Sequence, residues 1–162
     1  MFFTLRAPKP VDYESIASWV PDAVACLRWA GPRVPFPFTA DLPTLLSVVD
    51  GESYCLADKS AIPLGFGQYW VLTPGSVHLG RIIVSPLARG KGIGRMLCQQ
   101  LVAKAIQTTG ATTVTLRVYR DNAAAVALYT SLGFAPVECE SDTEVHFMKA
   151  ETLCSSLPNK LS

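Results

Sequence analysis

The spacing of apolar and polar positions changes character part-way along this 162-residue chain. Phe2 to Arg6 reads as a first strand. Val11–Trp19 and Ala23–Ala30 carry helical spacing, with Asp12 and Asp22 near their starts, where an acid complements the helix dipole. Prolines at 32, 35 and 37 exclude regular structure from Gly31 to Phe38. A short helix is predicted over Leu42–Val49. From Ser53 the period becomes that of strands, over Ser53–Ala57 and Leu64–Leu72, separated by Asp58-Lys59-Ser60. Thr73-Pro74-Gly75-Ser76 is a turn, and Val77–Val84 is a third strand of this run. Its unbroken end, Ile82-Ile83-Val84, predicts burial on both faces. Pro86 stops it.

The strongest helical pattern runs from Gly92 to Thr108, where Ile93, Leu97, Leu101 and Ala105 share a face and Gly110 supplies the C-terminal stop. Thr113–Tyr119, rich in Thr and Val, is a strand. Asp121 or Asn122 caps a helix over Ala123–Leu132, closed by Gly133. Phe134–Cys139 and Glu144–Lys149 make a final hairpin. This order predicts a single α/β domain over residues 1–150, with a mixed central sheet flanked by helices: an antiparallel meander, then a parallel pairing. Residues 151–162 read as a tail.

Composition narrows the chemistry. Apolar residues make up 49% of the chain, enough for a packed core. No apolar run reaches membrane-spanning length, and the start, Met1 to Pro8, lacks the pattern of a secretion signal. The five scattered cysteines read as reduced thiols in a cytoplasm, and no pair has zinc-ligand spacing, so no metal is expected. Net charge is only +1, but its distribution is uneven. Residues 1–58 hold four Lys/Arg and seven Asp/Glu, residues 59–120 hold eight Lys/Arg and no acid, and residues 121–162 hold two and six. A long buried stretch would account for part of this; an anionic ligand facing the middle segment accounts for it more directly. The acidic flanks would repel a long polyanion, so a compact phosphate-rich molecule fits better than nucleic acid.

The middle segment contains Ile82-Ile83-Val84-Ser85-Pro86-Leu87-Ala88-Arg89-Gly90-Lys91-Gly92-Ile93-Gly94-Arg95. A strand runs out, three alternating glycines follow, and the best helix begins. Free N–H groups of its first turn, the dipole and the cations Arg89, Lys91 and Arg95 suit a pyrophosphate, and glycines let the backbone approach it. Lys91 is followed by Gly92, so the nucleotide-triphosphate loop is excluded. The spacing is Gly-x-Gly-x-Gly and no acid lies between Asp58 and Asp121, so the dinucleotide fingerprint fails too.

Arg-x-x-Gly-x-Gly after a strand and opening a helix resembles the acetyl-coenzyme A loop of the GNAT superfamily of N-acetyltransferases. Leu116-Arg117-Val118-Tyr119-Arg120-Asp121-Asn122, continuing through Tyr129 to Gly133-Phe134, resembles the second half of that signature. The resemblance implies acetyl-coenzyme A as cosubstrate, held by Arg89, Gly90, Lys91, Gly92, Ile93, Gly94 and Arg95. It also implies that the backbone of Ile82, Ile83 and Val84 pairs with the pantetheine arm, that Asn122 contacts the cofactor, and that Tyr129 sits near the thioester sulfur. Asn122 and Tyr129 are seven apart, on one helical face, and a phenol is protonated at neutral pH and can protonate the leaving thiolate. The alternative for Tyr129 is ordinary packing.

The resemblance implies a base at the position of His78, which strand alternation would place on the face of Gly80, Ile82 and Val84. A water chain serves other family members. Ribosomal-protein N-terminal acetyltransferases, which the second motif resembles, carry an acid where this chain has Arg117. The acceptor pocket in such proteins forms from the early helices and the meander, here Trp19, Trp29, Phe36, Phe38, Tyr69 and Trp70, residues that equally suit a core. Asp41, Asp50 and Glu52 could attract a cationic amine or simply be solvated. The expected function is acetyl transfer to a primary amine of a small molecule, peptide or protein, by direct attack in a ternary complex. Cys98, inside the helix, reads as packing rather than as a covalent relay. The alternative is a non-catalytic coenzyme A sensor, which would have no need of a proton donor. The acceptor is not named by the sequence, and a homodimer is left open.

Overall fold

A computed structural model describes residues 2–152. The elements run β1 (Phe3–Arg6), α1 (Pro10–Ser18), α2 (Ala23–Ala30), α3 (Leu42–Leu45), β2 (Gly51–Asp58), β3 (Pro63–Thr73), β4 (Ser76–Val84), α4 (Ile93–Thr109), β5 (Thr113–Tyr119), α5 (Ala123–Ser131), β6 (Ala135–Pro136) and β7 (Val145–Glu151). The seven strands form a mixed sheet in the order β1-β2-β3-β4-β5-β7-β6. β1 and β2 are antiparallel, as are β2 and β3. β4 and β5 are parallel, from Ser76↔Thr113 to Leu79↔Leu116, with α4 as the crossover a parallel pair requires. β5–β7 and β6–β7 return to antiparallel pairing. The expected mixed α/β sheet is therefore present.

The chain divides into two compact units, and β4 and α4 each run from one into the other. The first holds residues up to Trp70 together with Gly80–Leu101. Its larger core gathers Ile16 of α1, Trp19 and Val20 just after it, Cys26 of α2, Leu46 just after α3, and Cys55 and Phe66 of β2 and β3. A smaller core joins Leu56, Ala88, Ile93 and Leu97, with Ile82 and Val84 packed against it. Two helix starts here are fixed by acids: Asp22 Oδ1 accepts from Ala25 N at 2.8 Å, and Asp41 Oδ2 from Thr44 N at 3.3 Å. Asp12, buried in the first turn of α1, accepts two bonds from Arg6, at 2.6 and 3.1 Å, and one from Lys9 N at 2.6 Å. Burial alone would raise the Asp12 carboxyl; the hydrogen bonds from Arg6 and from Lys9 N–H, with the nearby positive charges, together outweigh it and hold the group below the usual carboxylate range.

The second unit holds Val71–Leu79 and the chain from Val102 onward. Val77, Leu79, Val114, Leu116, Val118, Phe147 and Met148 are its buried apolar strand residues, with His78 and Thr115 buried beside them. Asn122 caps α5, its Oδ1 accepting from Ala125 N at 3.2 Å.

Several boundaries differ from expectation. α3 stops at Leu45 rather than Val49, because Ser47, Val48 and Val49 are poor helix formers. The strand expected over Phe134–Cys139 is only Ala135–Pro136; Pro136 has no N–H to extend the ladder, and a 3-10 turn over Glu138–Glu140 follows. β7 continues through Glu151, the first residue of the expected tail; residues 153–162 lie outside the described ones. No helix among the described residues is long and apolar enough to cross a membrane.

Candidate functional site

In the first unit, β4 ends at Val84, where a 3-10 turn over Pro86–Ala88 leads to Arg89, Gly90, Lys91 and Gly92, all exposed. Gly90 and Gly92 sit at φ +77° and +80°, where a side chain is strained, and a Cβ on either would meet nothing within 4 Å. α4 begins at Ile93, and its first intrahelical bond runs from Met96 N to Gly92 O at 3.1 Å. The amides of Ile93, Gly94 and Arg95 thus form the first turn of α4, ahead of that bond. Arg89 Nε reaches back to Val84 O at 3.3 Å. No carboxylate lies in this stretch, since Asp and Glu are absent from residues 59–120. Open backbone, the first-turn amides of a helix and three cations together fit a pyrophosphate.

The strand leading to this loop departs from simple alternation. Arg81 has φ +52°. A Cβ on Gly80 would lie 2.3 Å from the Trp70 ring, while the Arg81 guanidinium reaches Gln68 Oε1 at 3.2 Å, Leu46 O at 3.3 Å and Ala30 O at 3.2 Å. Gln68 and Trp70 share one face of β3, so two consecutive residues of β4 address that face. This is a bulge, and it shifts the phase by one residue. His78 and Gly80 therefore share a face with Arg81 and Ile83, and not with Ile82 and Val84 as simple alternation predicts. Trp29 Nε1 braces the bulge by donating to Arg81 O at 2.8 Å. Nothing in the sequence beyond Gly80 itself signalled it. Ile82, Ile83 and Val84 are half-buried, Ile82 and Val84 against the smaller core and Ile83 against the larger. Both faces are covered, as expected, though less completely.

In the second unit, Asn122 caps α5 and Tyr129 lies within it. Tyr129 is buried and meets Phe134 edge-on, with centroids 6.1 Å apart. The Asn122 carbonyl oxygen is committed to the cap, leaving its amide group for other contacts. His78 is 7% exposed; its Nδ1 shares a 2.7 Å hydrogen bond with Thr115 Oγ1, and its ring stacks on Phe147 at 6.1 Å. Burial, aided by the Arg117 charge, pushes the imidazole down to about 4. His78 is thus neutral at pH 7 and a weak proton acceptor. Thr115 and Phe147, its partners, were not singled out by the sequence; the β4–β5–β7 register brings them together.

The early aromatics are mainly core. Trp19 and Tyr69 are buried, and Trp29, Phe36 and Phe38 pack against the larger core. Trp70 covers Gly80. Cys98 is fully buried within α4, and burial pushes the Cys55 thiol up to about 12, so neither is poised as a nucleophile.

The model of the acetyltransferase (GNAT) family matches residues 18–134. The chain belongs to the GNAT family. A [ribosomal protein bS18]-alanine N-acetyltransferase of Salmonella typhimurium is 46% identical over 56 residues, 35% of this GNAT chain and 37% of that protein. A mycothiol acetyltransferase of Salinispora tropica is 38% identical over 93 residues, 53% of this chain and 30% of that one. The chain thus spans about a third of the length of each of these curated relatives. Among solved structures, a Vibrio cholerae spermidine N-acetyltransferase in complex with CoA and spermine is similar at a TM-score of 0.76, with 19% identity over 93% of this chain and 95% of that one. AAC(6')-Ib in complex with paromomycin and acetyl-CoA is similar at 0.71, with 20% identity over 92% and 93%. These likenesses establish the GNAT fold.

Proposed function

We propose that this GNAT chain moves the acetyl group of acetyl-coenzyme A to a primary amine by direct attack within a ternary complex. The observation that carries the reading is the Arg89–Arg95 loop: two left-handed glycines with open space beside them, opening a helix start amid cations and no acid. Acetyl-coenzyme A, when bound, supplies the thioester whose carbonyl carbon the amine attacks.

The N–H groups of Ile93, Gly94 and Arg95, with Gly90 and Gly92 giving access, hold the pyrophosphate, and Arg89, Lys91 and Arg95 balance its charge. The backbone of Ile82–Val84 orients the pantetheine arm through main-chain hydrogen bonds. Asn122 offers its amide N–H groups to the cofactor while its oxygen caps α5. The Tyr129 phenol would supply the proton that the departing coenzyme A thiolate takes up. His78, neutral and weakly basic, leaves deprotonation of the amine to water, and its ring positions Thr115 and Phe147.

The four free cysteines of the described residues, three of them buried, support a reducing cytoplasm as the compartment of this reaction. Copies of the chain would associate, as a similar fold is described in a dodecameric spermidine N-acetyltransferase. Release of free thiol from acetyl-coenzyme A, dependent on an added amine, tests the proposal. Tight cofactor binding with no thiol release on any amine would favour the sensor reading.

A further inference from the structure

One face of the second unit carries a cation that the fold orients but does not use. Arg117 and Phe147 are direct cross-strand partners on β5 and β7, so their side chains share a face. The Arg117 guanidinium lies over the Phe147 ring, 5.1 Å from its centroid. Phe147 is 3% exposed, whereas Arg117 is exposed. The ring is held in turn by its stack on His78. Arg6 pairs with Asp12, Arg81 and Arg89 bond carbonyls, and Arg120 holds Asp142 O and Glu138. The Arg117 guanidinium makes no hydrogen bond or ion pair among the described residues.

Lys149 opposes Thr115, so it adds a second cation to the same face. Two acids bear on this face. Glu151 opposes Thr113, whose Oγ1 donates to it at 2.9 Å; it lies beside Lys149 but four residues from Phe147 along β7, roughly 13 Å away and more than a Debye length from the Arg117 stack. Asp142 feels Arg117 only weakly, its carboxylate being committed to the N–H groups of Glu144 and Val145 at 2.8 and 2.7 Å. The face therefore offers a flat, stacked, fork-shaped donor with an apolar floor, bordered by a second cation. That is the geometry for a planar carboxylate, bound bidentately.

We propose that this face receives the acceptor and that the acceptor is an amine bearing a carboxylate, which Arg117 grips. The inference rests on the acetyltransferase reading and narrows its substrate class. It sets this chain apart from the polyamine and aminoglycoside enzymes of similar fold, because Arg117 and Lys149 repel a polycation.

The test measures thiol release with matched probes: amino acids, their amides, their decarboxylated amines, and spermidine. The carboxylate-bearing probes should be preferred. Arg117→Gln should raise their KM about 10- to 100-fold with little change in kcat, and should leave the amides unaffected. Arg117→Lys should restore part of the preference. Because Arg117 is exposed, an unchanged melting temperature verifies that the variants fold. Equal or better turnover of spermidine or of the decarboxylated amines would overturn the proposal. So would a preference that survives Arg117→Gln, or no turnover of any carboxylate probe by protein that binds acetyl-coenzyme A. Failure to bind acetyl-coenzyme A would instead overturn the reading beneath it.

Discussion

Lowering the pH from 7 to 5 should destabilise this fold chiefly through His78. Its imidazole titrates near 6.5 when free and near 4 in the fold, because it is buried between β5 and β7 partners and faces the Arg117 charge. The unfolded chain therefore binds the proton more readily, and stability rises with pH across the window between those values. The contribution is fully present above about pH 6.5 and is lost as pH falls toward 4. One pKa unit corresponds to about 1.4 kcal/mol, so the limit is about 3 kcal/mol, and about 2 kcal/mol is lost by pH 5. His78→Gln removes the titration while keeping a polar partner for Thr115. Urea unfolding at pH 7, 6 and 5, extrapolated to water, gives the stability of each protein. The variant should start lower at pH 7, yet lose about 2 kcal/mol less than wild type on the way to pH 5. Parallel losses in the two proteins would show that His78 is not the buried, neutral group described here. The same value bears on catalysis: an acid limb of kcat/KM near pH 6.5 could not then belong to His78.

Gly92→Glu places a carboxylate at the proposed pyrophosphate loop and should weaken acetyl-coenzyme A binding more than about 100-fold, like charge in a close site costing several kcal/mol. Gly92→Ala, at φ +80° but with open space, should cost about 1–2 kcal/mol of stability in urea unfolding while retaining most affinity. Equal affinity of the Glu variant and wild type would remove the loop from the site. Tyr129→Phe keeps the edge-on contact with Phe134 and loses the hydroxyl; kcat should fall about 100-fold or more, with cofactor affinity nearly unchanged. An unaltered kcat would make Tyr129 a packing residue.

The parts of this architecture that depend on local period were legible in the sequence. The face of α4 formed by Ile93, Leu97, Leu101 and Ala105 is buried as its spacing predicts, and β5 has the predicted bounds. The loop after β4 was legible because glycine spacing and charge are local features. What escaped was set by pairing across strands. The bulge at Gly80–Arg81 moves His78 onto another face than strict alternation gives, and it is held by Trp29, Gln68 and Leu46, far away in sequence. The stack of Arg117 and His78 on Phe147 depends on the β4–β5–β7 register, which no single segment encodes. The burial that depresses His78 likewise follows from packing rather than from residue type.

Calorimetric titration of the full chain with acetyl-coenzyme A, against NAD and ATP, tests the central claim most directly. The account predicts selective binding at one site in the micromolar range, lost in Gly92→Glu. No heat with acetyl-coenzyme A, or equal binding of all three ligands, would contradict it.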